Sequence, residues 1–430
     1  MGKQLQKTIV DILKKTINRQ LYYYLDICTR CSICKNACHQ YIMTNDLIYL
    51  PAYRAELILR IYRKYLTRTG RFISALNRAR EIDEQWLDDL YKVTYSCTGC
   101  RRCMYYCPFS IDTSWLLALG KAILVAADKY PPIISEISNA SIFKGENMEI
   151  LKEDIIEGLK EYEKELQEKV DDPSATIPVD LKGADILYVS LPGSYSVLTA
   201  ASIFHQARAN WTLSLYEPAN FGYFLGDTEK AAVTAKRIID EAKRLEVKEI
   251  VISECGHGYR VMKWLWDTWS KEENPFKIRC ILEVMAEYIK EERIRLNRGQ
   301  IQKALTYHDP CQLARNSGIY EEPRYILRQI ATDFRELTPN REKNWCCGGG
   351  GGLQAEPELE DFRLKTGEKK VEQIRNSGAK IVVAPCDNCR LQLEDLNKKY
   401  NLDISVYSVM ELVADATVIS KPVFPISNLD

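Results

Sequence analysis

Two stretches decide how this chain folds: Cys28-Thr29-Arg30-Cys31-Ser32-Ile33-Cys34-Lys35-Asn36-Ala37-Cys38 and Cys97-Thr98-Gly99-Cys100-Arg101-Arg102-Cys103-Met104-Tyr105-Tyr106-Cys107-Pro108. Each places four cysteines at the spacing C-x-x-C-x-x-C-x-x-x-C. Thiolates are soft ligands for iron, and gaps of two residues let one loop wrap three sulfurs around a four-iron cube. The sequence therefore predicts two cubane [4Fe–4S] clusters.

In a double run of this kind the fourth cysteine typically ligates the other cluster. We therefore assign one cluster to Cys28, Cys31, Cys34 and Cys107, and the other to Cys97, Cys100, Cys103 and Cys38. Zinc sites use paired C-x-x-C units and do not require eight cysteines in this double pattern. His39 stands where a proline is expected, and we expect it to lie beside a cluster or at the surface without ligating iron.

Composition narrows the class of protein further. A chain of 430 residues allows two or three domains at roughly 100–200 residues each. Lys plus Arg and Asp plus Glu number 59 each, so no basic footprint indicates nucleic acid. No signal peptide or apolar run long enough for a membrane span is visible, which predicts a soluble chain that can dock on a membrane subunit. Of the fifteen cysteines, thirteen fall in tight groups, which favours metal or redox chemistry over disulfides.

Changes in sequence pattern predict five segments. Residues 1–20 resemble an amphipathic helix that packs on the same chain or, alternatively, on a partner subunit. Residues 21–130 hold both cysteine runs, joined by a charged helical spacer, and residues 131–182 are predicted to be a helical linker. Residues 183–300 and 301–430 alternate short β-branched runs with helical stretches, which is an α/β pattern.

The two α/β segments have similar sequence patterns, which predicts a tandem duplication. The predicted strands ILYVSL (186–191), WTLSLY (211–216) and EIVISE (249–254) correspond to ALTYHD (304–309), FRELT (334–338) and KIVVAP (380–385). Residues 282–285 and 408–411 correspond in placement after the last loops. In the first repeat Gly193, Phe224 and Leu225 stand opposite cysteines of the second, and only Cys255, opposite Cys386, is kept. We therefore expect the first repeat to be degenerate.

The second repeat carries an unusual group of five cysteines: Cys311, the pair Cys346-Cys347, and Cys386-x-x-Cys389. Each group follows a predicted strand, and loops at the carboxyl ends of parallel strands converge on one crevice. Adjacent cysteines suit a cluster in which one sulfur bridges two irons. Five glycines, Gly348–Gly352, follow the pair, and we expect Gly348 and Gly349 to approach the cluster through backbone N–H groups. A flexible loop is the alternative.

The pattern Cys311…Cys346-Cys347-Gly348…Cys386-x-x-Cys389 resembles the CCG motif of heterodisulfide reductase catalytic subunits. The helical cysteine module is similar to that of succinate dehydrogenase and related iron–sulfur subunits. Cys28–Cys34, Pro51-x-x-Arg54-Ala55-Glu56-Leu57, Glu254-Cys255-Gly256-His257 and His308-Asp309-Pro310-Cys311 resemble the DsrK branch of the family, which belongs to membrane complexes of sulfate respiration. Related subunits occur in the high-molecular-weight and tetraheme cytochrome c complexes. The resemblance covers nearly the whole chain.

This resemblance implies a noncubane [4Fe–4S] cluster in addition to two cubanes, and an oxidoreductase that interconverts thiols and disulfides. It implies a membrane cytochrome b-type quinone-reactive subunit, periplasmic cytochrome c and iron–sulfur subunits, and a small DsrC-like thiol protein as partners. The chain would lie on the cytoplasmic face of the membrane. It departs from the parent family, which usually carries two complete CCG motifs, and this puts two-cluster cleavage of a small heterodisulfide in doubt.

Other residues and readings stay open at this point. Cys255 and His257 could act beside the cluster, with the imidazole delivering a proton to a departing thiolate, or could be buried structural residues. His308 could transfer protons or serve the fold, and Asp309 and Arg315 could orient the loop. Two other functions are a non-catalytic electron relay and the iron–sulfur subunit of a flavin-dependent dehydrogenase. No nucleotide-binding glycine motif stands out, so the chain itself is not expected to bind flavin.

Overall fold

A computed structural model describes residues 2–72, 80–147, 149–191, 194–270 and 272–418. The chain divides into two compact units, each of which draws on three segments. The first unit comprises Met1–Ser135, Tyr223–Thr228 and Trp345–Lys370, and the second Glu136–Gly222, Glu229–Asn344 and Val371–Asp430. The predicted division into five consecutive domains stays a prediction. The first unit is mainly helical and the second is α/β, in line with the predicted change along the chain. Short segments of the α/β repeats nevertheless belong to the first unit.

The first unit is helical and carries both N-terminal cysteine runs. Its helices begin with α1–α8, which span Lys3–Thr16, Arg19–Ile27, His39–Thr44, Pro51–Leu66, Arg68–Phe72, Glu84–Tyr95, Arg102–Tyr106 and Thr113–Ala126. Leucines, isoleucines and aromatic residues from α1, α2, α4, α6 and α8 form one apolar core. The first unit also includes residues 223–225, the C-terminal part of α12 (Phe221–Leu225), and the whole of α18 (Glu360–Thr366).

The N-terminal amphipathic helix packs on its own unit. Ile9 and Leu13 of α1 are fully buried, and Leu5, Ile12 and Ile17 pack against the same core. The helix is shorter than the predicted 1–20, because the side chain of Asn18 caps the next helix by accepting from the backbone N–H groups of residues 20 and 21.

Among its described residues the second unit holds eight strands, β1–β8, which span Ile186–Val189, Trp211–Leu213, Glu249–Ile252, Lys277–Cys280, Leu305–Tyr307, Phe334–Glu336, Ile381–Val383 and Ser405–Tyr407. The remaining helices of the chain are α9 (Pro132–Phe143), α10 (Lys152–Val170), α11 (Tyr195–Gln206), α13 (Thr228–Leu245), α14 (Gly256–Arg260), α15 (Trp266–Trp269), α16 (Ile281–Lys290), α17 (Glu321–Ile330), α19 (Glu368–Ser377), α20 (Asp387–Tyr400) and α21 (Val409–Ala416). The six predicted strands correspond to β1–β3 and β5–β7.

Shorter turns complete the secondary structure. Turns of 3₁₀ helix cover Ile33–Ala37, Leu47–Tyr49, Arg341–Lys343, Leu353–Ala355 and Pro357–Leu359, and a π-helical turn covers Val261–Leu265. In the segment predicted to be a linker, α10 buries Ile155, Leu159 and Leu166, so this part of it is packed. No helix among the described residues is both long and apolar enough to span a bilayer.

The strands form two four-stranded parallel sheets with the same order, β2-β1-β3-β4 and β6-β5-β7-β8. In each sheet the chain turns in opposite directions after the two central strands, which places a topological switch point between them. Ile186 pairs with Glu249 in the first sheet, as Leu305 pairs with Ile381 in the second. Fold class and repeat are therefore as predicted: a helical cysteine module and two tandem α/β repeats.

The correspondence between the repeat ends differs from the predicted one by two residues. Cys280 and Ser408 are the N-caps of α16 and α21, and each helix has a capping box completed by a glutamate at the third position, Glu283 or Glu411. Residues 280–283 therefore correspond to residues 408–411, whereas the sequence comparison had matched residues 282–285 to them. The strands that precede these caps, β4 and β8, were not among the six strands predicted from the sequence.

Replacing Leu13 with alanine tests the packing of α1. Because Leu13 is fully buried in the core of the first unit, we expect the free energy of unfolding to fall by about 2–5 kcal/mol. Urea unfolding of the isolated chain measures it. Lys7→Ala, at an exposed position of the same helix, is the control and should change little. Equal stability of both variants would favour a helix that packs only on a partner subunit.

Candidate iron–sulfur centres

The eight N-terminal cysteines line two cavities in the first unit. Cys28, Cys31, Cys34 and Cys107 line the outer cavity, in which Cys31 is exposed. The inner cavity is lined by Cys38, Cys97, Cys100 and Cys103. Cys103 also borders the outer cavity. The two linings match the crossed assignment, in which the fourth cysteine of each run serves the other site, although ligation itself stays a prediction.

The environment of these thiols suits cluster ligation. Burial is the main cause that raises the pKa of Cys34 to about 11, and burial likewise raises the pKa of Cys38 and Cys103. The positive charge of Arg54 acts in the opposite direction on Cys38. A bound metal ion deprotonates a coordinating thiol outright and so overcomes this effect of burial. Four cysteine sulfurs around each cavity therefore fit a [4Fe–4S] cluster.

The cysteine pair of the second repeat belongs to the first unit, close to the inner cavity. Cys346 Sγ, Cys100 Sγ and a ring nitrogen of His39 lie within 4.8 Å of one another, and all three residues are buried. The Thr98 hydroxyl lies 3.5 Å from Cys346 Sγ. His39 Nδ1 donates to the Thr366 carbonyl oxygen at 3.0 Å, so its Nε2 is the nitrogen left for the two sulfurs. His39 thus lies beside a predicted cluster ligand, one of the two predicted placements.

Two close contacts hold the loop of the cysteine pair. Gly351 has a positive φ of 75°, and a Cβ atom there would lie 2.5 Å from the Cys97 carbonyl oxygen, so only glycine fits. The guanidinium of Arg102 stacks on the Trp345 ring, 3.4 Å from its centroid, and donates to the Ala37 carbonyl at 2.9 Å. The glycine run is therefore a packed loop. Gly351 is the position at which the packing of this loop requires a glycine. Gly348 and Gly349 stay predicted cofactor-binding residues.

Cys311 and Cys386 follow β5 and β7, the two strands that flank the switch point of the second sheet. Cys255 occupies the matching place after β3. Cys255 N and Cys386 N each donate to the carbonyl two residues earlier, and both residues are N-caps of the helix that follows. A Cβ atom at Gly256 would lie 2.9 Å from the Gln312 side chain. The second unit thus brings the loops of Cys255 and Cys311 into contact.

A buried ion pair fixes the loop before Cys311. Arg324 Nη1 and Nη2 lie 2.7 and 2.9 Å from the two carboxylate oxygens of Asp309, and both side chains are fully buried. Asp309 Oδ2 also accepts from Arg341 N, and Arg315 donates to the carbonyls of Glu342 and Asn344. The expected orienting role of Asp309 and Arg315 has a geometric basis here, whereas Arg324 was not predicted.

His308 is a hydrogen-bond donor by geometry. The Asn344 amide nitrogen donates to the Asp309 carbonyl at 3.0 Å and lies 3.2 Å from His308 Nδ1. Since an amide N–H group can only donate, Nδ1 accepts and the neutral ring carries its proton on Nε2. A ring nitrogen of His308 and Cys389 Sγ lie within 4.8 Å of each other. The remaining N–H is therefore available to that sulfur.

Cys255 and His257 are in contact, with 3.6 Å between Cys255 Sγ and His257 Nδ1. Asn220 N donates to His257 Nε2 at 3.1 Å, so the neutral ring carries its proton on Nδ1, facing the sulfur. Burial lowers the pKa of His257 to about 4, and burial raises the pKa of the Cys255 thiol. At pH 7 the imidazole is neutral, which favours hydrogen-bond donation over proton delivery, one of the two roles that the sequence left open.

A buried carboxyl, missed by sequence reasoning, links the two repeats. Glu254 accepts from the Tyr195 hydroxyl at 2.9 Å and from Met410 N at 3.0 Å. The guanidinium of Arg390 lies 4.2 Å over the Tyr195 ring. Burial raises the pKa of Glu254 to about 8. Its adjacency to Cys255 in the sequence was the available signal, but its burial depends on α11 and α21.

Cys280 and His205 have structural roles. Cys280 is fully buried as the N-cap of α16. His205 Nε2 lies 3.3 Å from the carboxylate of Asp172 at the partly exposed end of α11.

A helical unit with two four-cysteine cavities and α/β repeats with cysteines at a switch point define an iron–sulfur oxidoreductase subunit. Two family models match the chain: the 4Fe-4S dicluster domain over residues 24–111, and the cysteine-rich CCG domain over residues 305–394. The Hdr-like menaquinol oxidoreductase iron–sulfur subunit 2 of Archaeoglobus fulgidus is 30% identical, and the alignment covers 96% of this chain and 84% of the relative. One subunit of the dihydromethanophenazine:CoB–CoM heterodisulfide reductase of Methanosarcina mazei is 26% identical over 91% of this chain and 94% of its own length.

The chain belongs to the family of heterodisulfide reductase-like iron–sulfur subunits, the HdrD/DsrK-like proteins. The resemblance to this family, predicted from the cysteine motifs, is confirmed.

Replacing Arg324 with methionine tests the buried ion pair. The substitution leaves Asp309 buried without its partner, and we expect the free energy of unfolding to fall by about 3–5 kcal/mol. Arg328→Met is the matched control, since Arg328 is half exposed on the same helix. Its 3.4 Å ion pair with Glu336 is worth about 0–1 kcal/mol, and its guanidinium lies 5.3 Å from the Phe334 ring centroid. Equal losses in the two variants would contradict the assigned role of the pair.

The raised pKa of Glu254 predicts a pH dependence of stability. The folded chain favours the neutral carboxyl, so this contribution is fully present below the unfolded pKa of 4.5 and is lost as pH rises through about 8. Glu254→Gln should remove part of that slope, which makes the variant relatively more stable at pH 9 than at pH 6. Urea unfolding at several pH values measures it, with Glu229→Gln at an exposed site as the control. Parallel pH profiles for the wild type and Glu254→Gln would exclude the effect.

Proposed function

We propose that this chain is the catalytic iron–sulfur subunit of a membrane-bound complex that couples quinone-pool electrons to thiol/disulfide chemistry. Its cofactors would be two cubane [4Fe–4S] clusters in the outer and inner cavities and one noncubane [4Fe–4S] cluster held by Cys311, Cys346, Cys347, Cys386 and Cys389. When bound, these clusters supply one-electron redox chemistry. The substrate would be the disulfide or trisulfide of a small DsrC-like protein.

The names of the relatives support both halves of this proposal. One is called a menaquinol oxidoreductase subunit, which indicates a quinol as electron partner. Another is called a CoB–CoM heterodisulfide reductase subunit, which indicates a disulfide as substrate. The partners would be a cytochrome b-type membrane subunit and the periplasmic cytochrome c and iron–sulfur subunits of the same complex. The chain would then lie on the cytoplasmic face of the membrane.

The observation that carries the proposal is the short distance between the inner cavity and the cysteine pair. Cys100 Sγ and Cys346 Sγ lie within 4.8 Å, and both residues are buried. Electron transfer slows steeply with distance, so an inner cubane ligated by Cys100 would exchange electrons efficiently with any group on Cys346. Cys31 is exposed, which supports the outer cavity as the side that would receive electrons from an external partner. The electron path would run from the outer cavity through the inner cavity to the cysteine pair.

The residues around the second-unit cysteines would position sulfur and stabilise negative charge. Asp309 and Arg324 hold the Cys311 loop, and Asn344 sets the tautomer of His308. His308 would then donate a hydrogen bond to the Cys389 sulfur, and His257 would do so to Cys255. A neutral imidazole that gave up its proton would become an imidazolate, so these rings would stabilise a thiolate without protonating it. The proton for a departing thiolate would come from another source.

Iron content and paramagnetic resonance test the proposal. The anaerobically purified chain should hold about twelve irons, four for each of three clusters. Cys386→Ser should reduce this to about eight and abolish any signal that a thiol induces after oxidation, while the cubane signals persist. Cys280→Ser, at a buried cysteine outside the three groups, is the matched control and should retain both.

Other outcomes favour the alternatives. About eight irons in the wild type, all accounted for by cubane signals, would reduce the function to an electron relay. Copurification of the native complex with a flavoprotein in place of a haem b protein would favour a flavin-dependent dehydrogenase.

A further inference from the structure

Arg54 is a buried cation at the inner cavity. It lies on α4 with 2% of its surface exposed, and it lines the cavity together with Cys38, Cys97 and Cys100. Its Nη2 donates to Gln40 Oε1 at 2.6 Å and to Ser96 Oγ at 3.4 Å, and its guanidinium lies 5.6 Å from the Tyr49 ring centroid. Each of these partners is neutral.

No carboxylate within the described part of the chain forms an ion pair with Arg54, and its Nε has no hydrogen-bond partner there. A guanidinium cannot discharge by losing its proton, so burial without a counter-ion is costly. Cys38, Cys97, Cys100 and Cys103 line the same cavity, and each carries negative charge when its sulfur ligates iron. The charge of Arg54 therefore requires an anionic group in this cavity.

The outer cavity has a different charge environment. Its arginine, Arg30, forms a bidentate pair with Glu56, at 2.8 and 3.0 Å. Glu56 also lies 3.3 Å from Arg60. The Arg30 side chain is one-third exposed, so its field is both offset by a carboxylate and screened by water. Arg101, which also lines the inner cavity, pairs with Asp112 at 2.8 Å. Among the described residues, Arg54 is therefore the arginine of the two cavity linings that has no carboxylate partner.

We propose that Arg54 raises the reduction potential of the inner cubane and draws the electron inward from the outer cubane. This inference rests on the proposed function, in which each cavity holds a cubane. In the transfer one electron leaves the outer cubane and enters the inner one, and no bond or proton changes. A nearby fixed positive charge stabilises the reduced, more negative cluster, and it does so strongly where water is excluded.

Potentiometric titration of the anaerobic holoprotein, followed by paramagnetic resonance, tests this assignment. Arg54→Gln should shift the reduction midpoint of the inner cubane to lower potential and leave the outer one unchanged. Arg54→Lys keeps the charge and should shift it less. Arg30→Gln, the matched control at the other cavity, should leave the inner midpoint where it is. An unshifted inner midpoint in Arg54→Gln with full iron content would overturn the inference.

A second measurement does not depend on how well the Arg54 variants fold. Cys31→Ser removes a predicted ligand of the outer cubane, so the step that persists belongs to the inner one. That step should be the higher-potential step of the wild type, and the reverse order would also overturn the inference. Failure of the proposed function would give a different result. The purified chain would lack two cubane signals and would contain fewer than about eight irons, so there would be no pair of cubanes whose potentials could differ.

Discussion

The close approach of the glycine run to the second cysteine loop is the constraint on which the organisation of the first unit depends. At Gly351 the backbone comes so near the Cys97 carbonyl that no side chain fits. Trp345, stacked on Arg102, holds the other end of the same loop. Together they bring Cys346 to Cys100, although about 250 residues separate the two along the chain. The α/β repeat therefore contributes its cysteine pair directly to the helical unit.

Duplication explains why this arrangement is built from two similar sheets. Both have the same strand order, and both give up one loop to the helical unit: residues 223–228 from the first repeat and residues 345–370 from the second. Phe224 of the first repeat stands opposite the cysteine pair of the second, and its carbonyl oxygen accepts a hydrogen bond from Lys121 of α8. The degenerate repeat thus keeps the architecture of the intact one while an apolar loop replaces the thiols. The position matching Cys311, Gly193, lies outside the described residues.

Charge, as well as sulfur, distinguishes the sites. Glu56 neutralises Arg30, whereas Arg54, two residues earlier on the same helix, has only neutral hydrogen-bond partners. In the second unit Asp309 and Arg324 neutralise each other, and His257 is held neutral by burial. The uncompensated buried charge of Arg54 lies at the inner cavity, where an anionic cluster can balance it.

The sequence by itself determined the cysteine spacing, six of the eight strands and the α/β repeat, because loop spacing and β-branched runs act over a few residues. The strands β4 and β8 were not predicted because each lacks a β-branched apolar run: Arg279 interrupts β4, where it pairs with Glu249 and Glu287, and Ser405 begins β8. Only the tertiary structure decided that residues 345–370 belong to the helical unit, that Arg324 pairs with Asp309, and that Arg54 has no carboxylate partner within the described ranges. Each depends on packing between segments far apart in the chain, for which no local pattern exists.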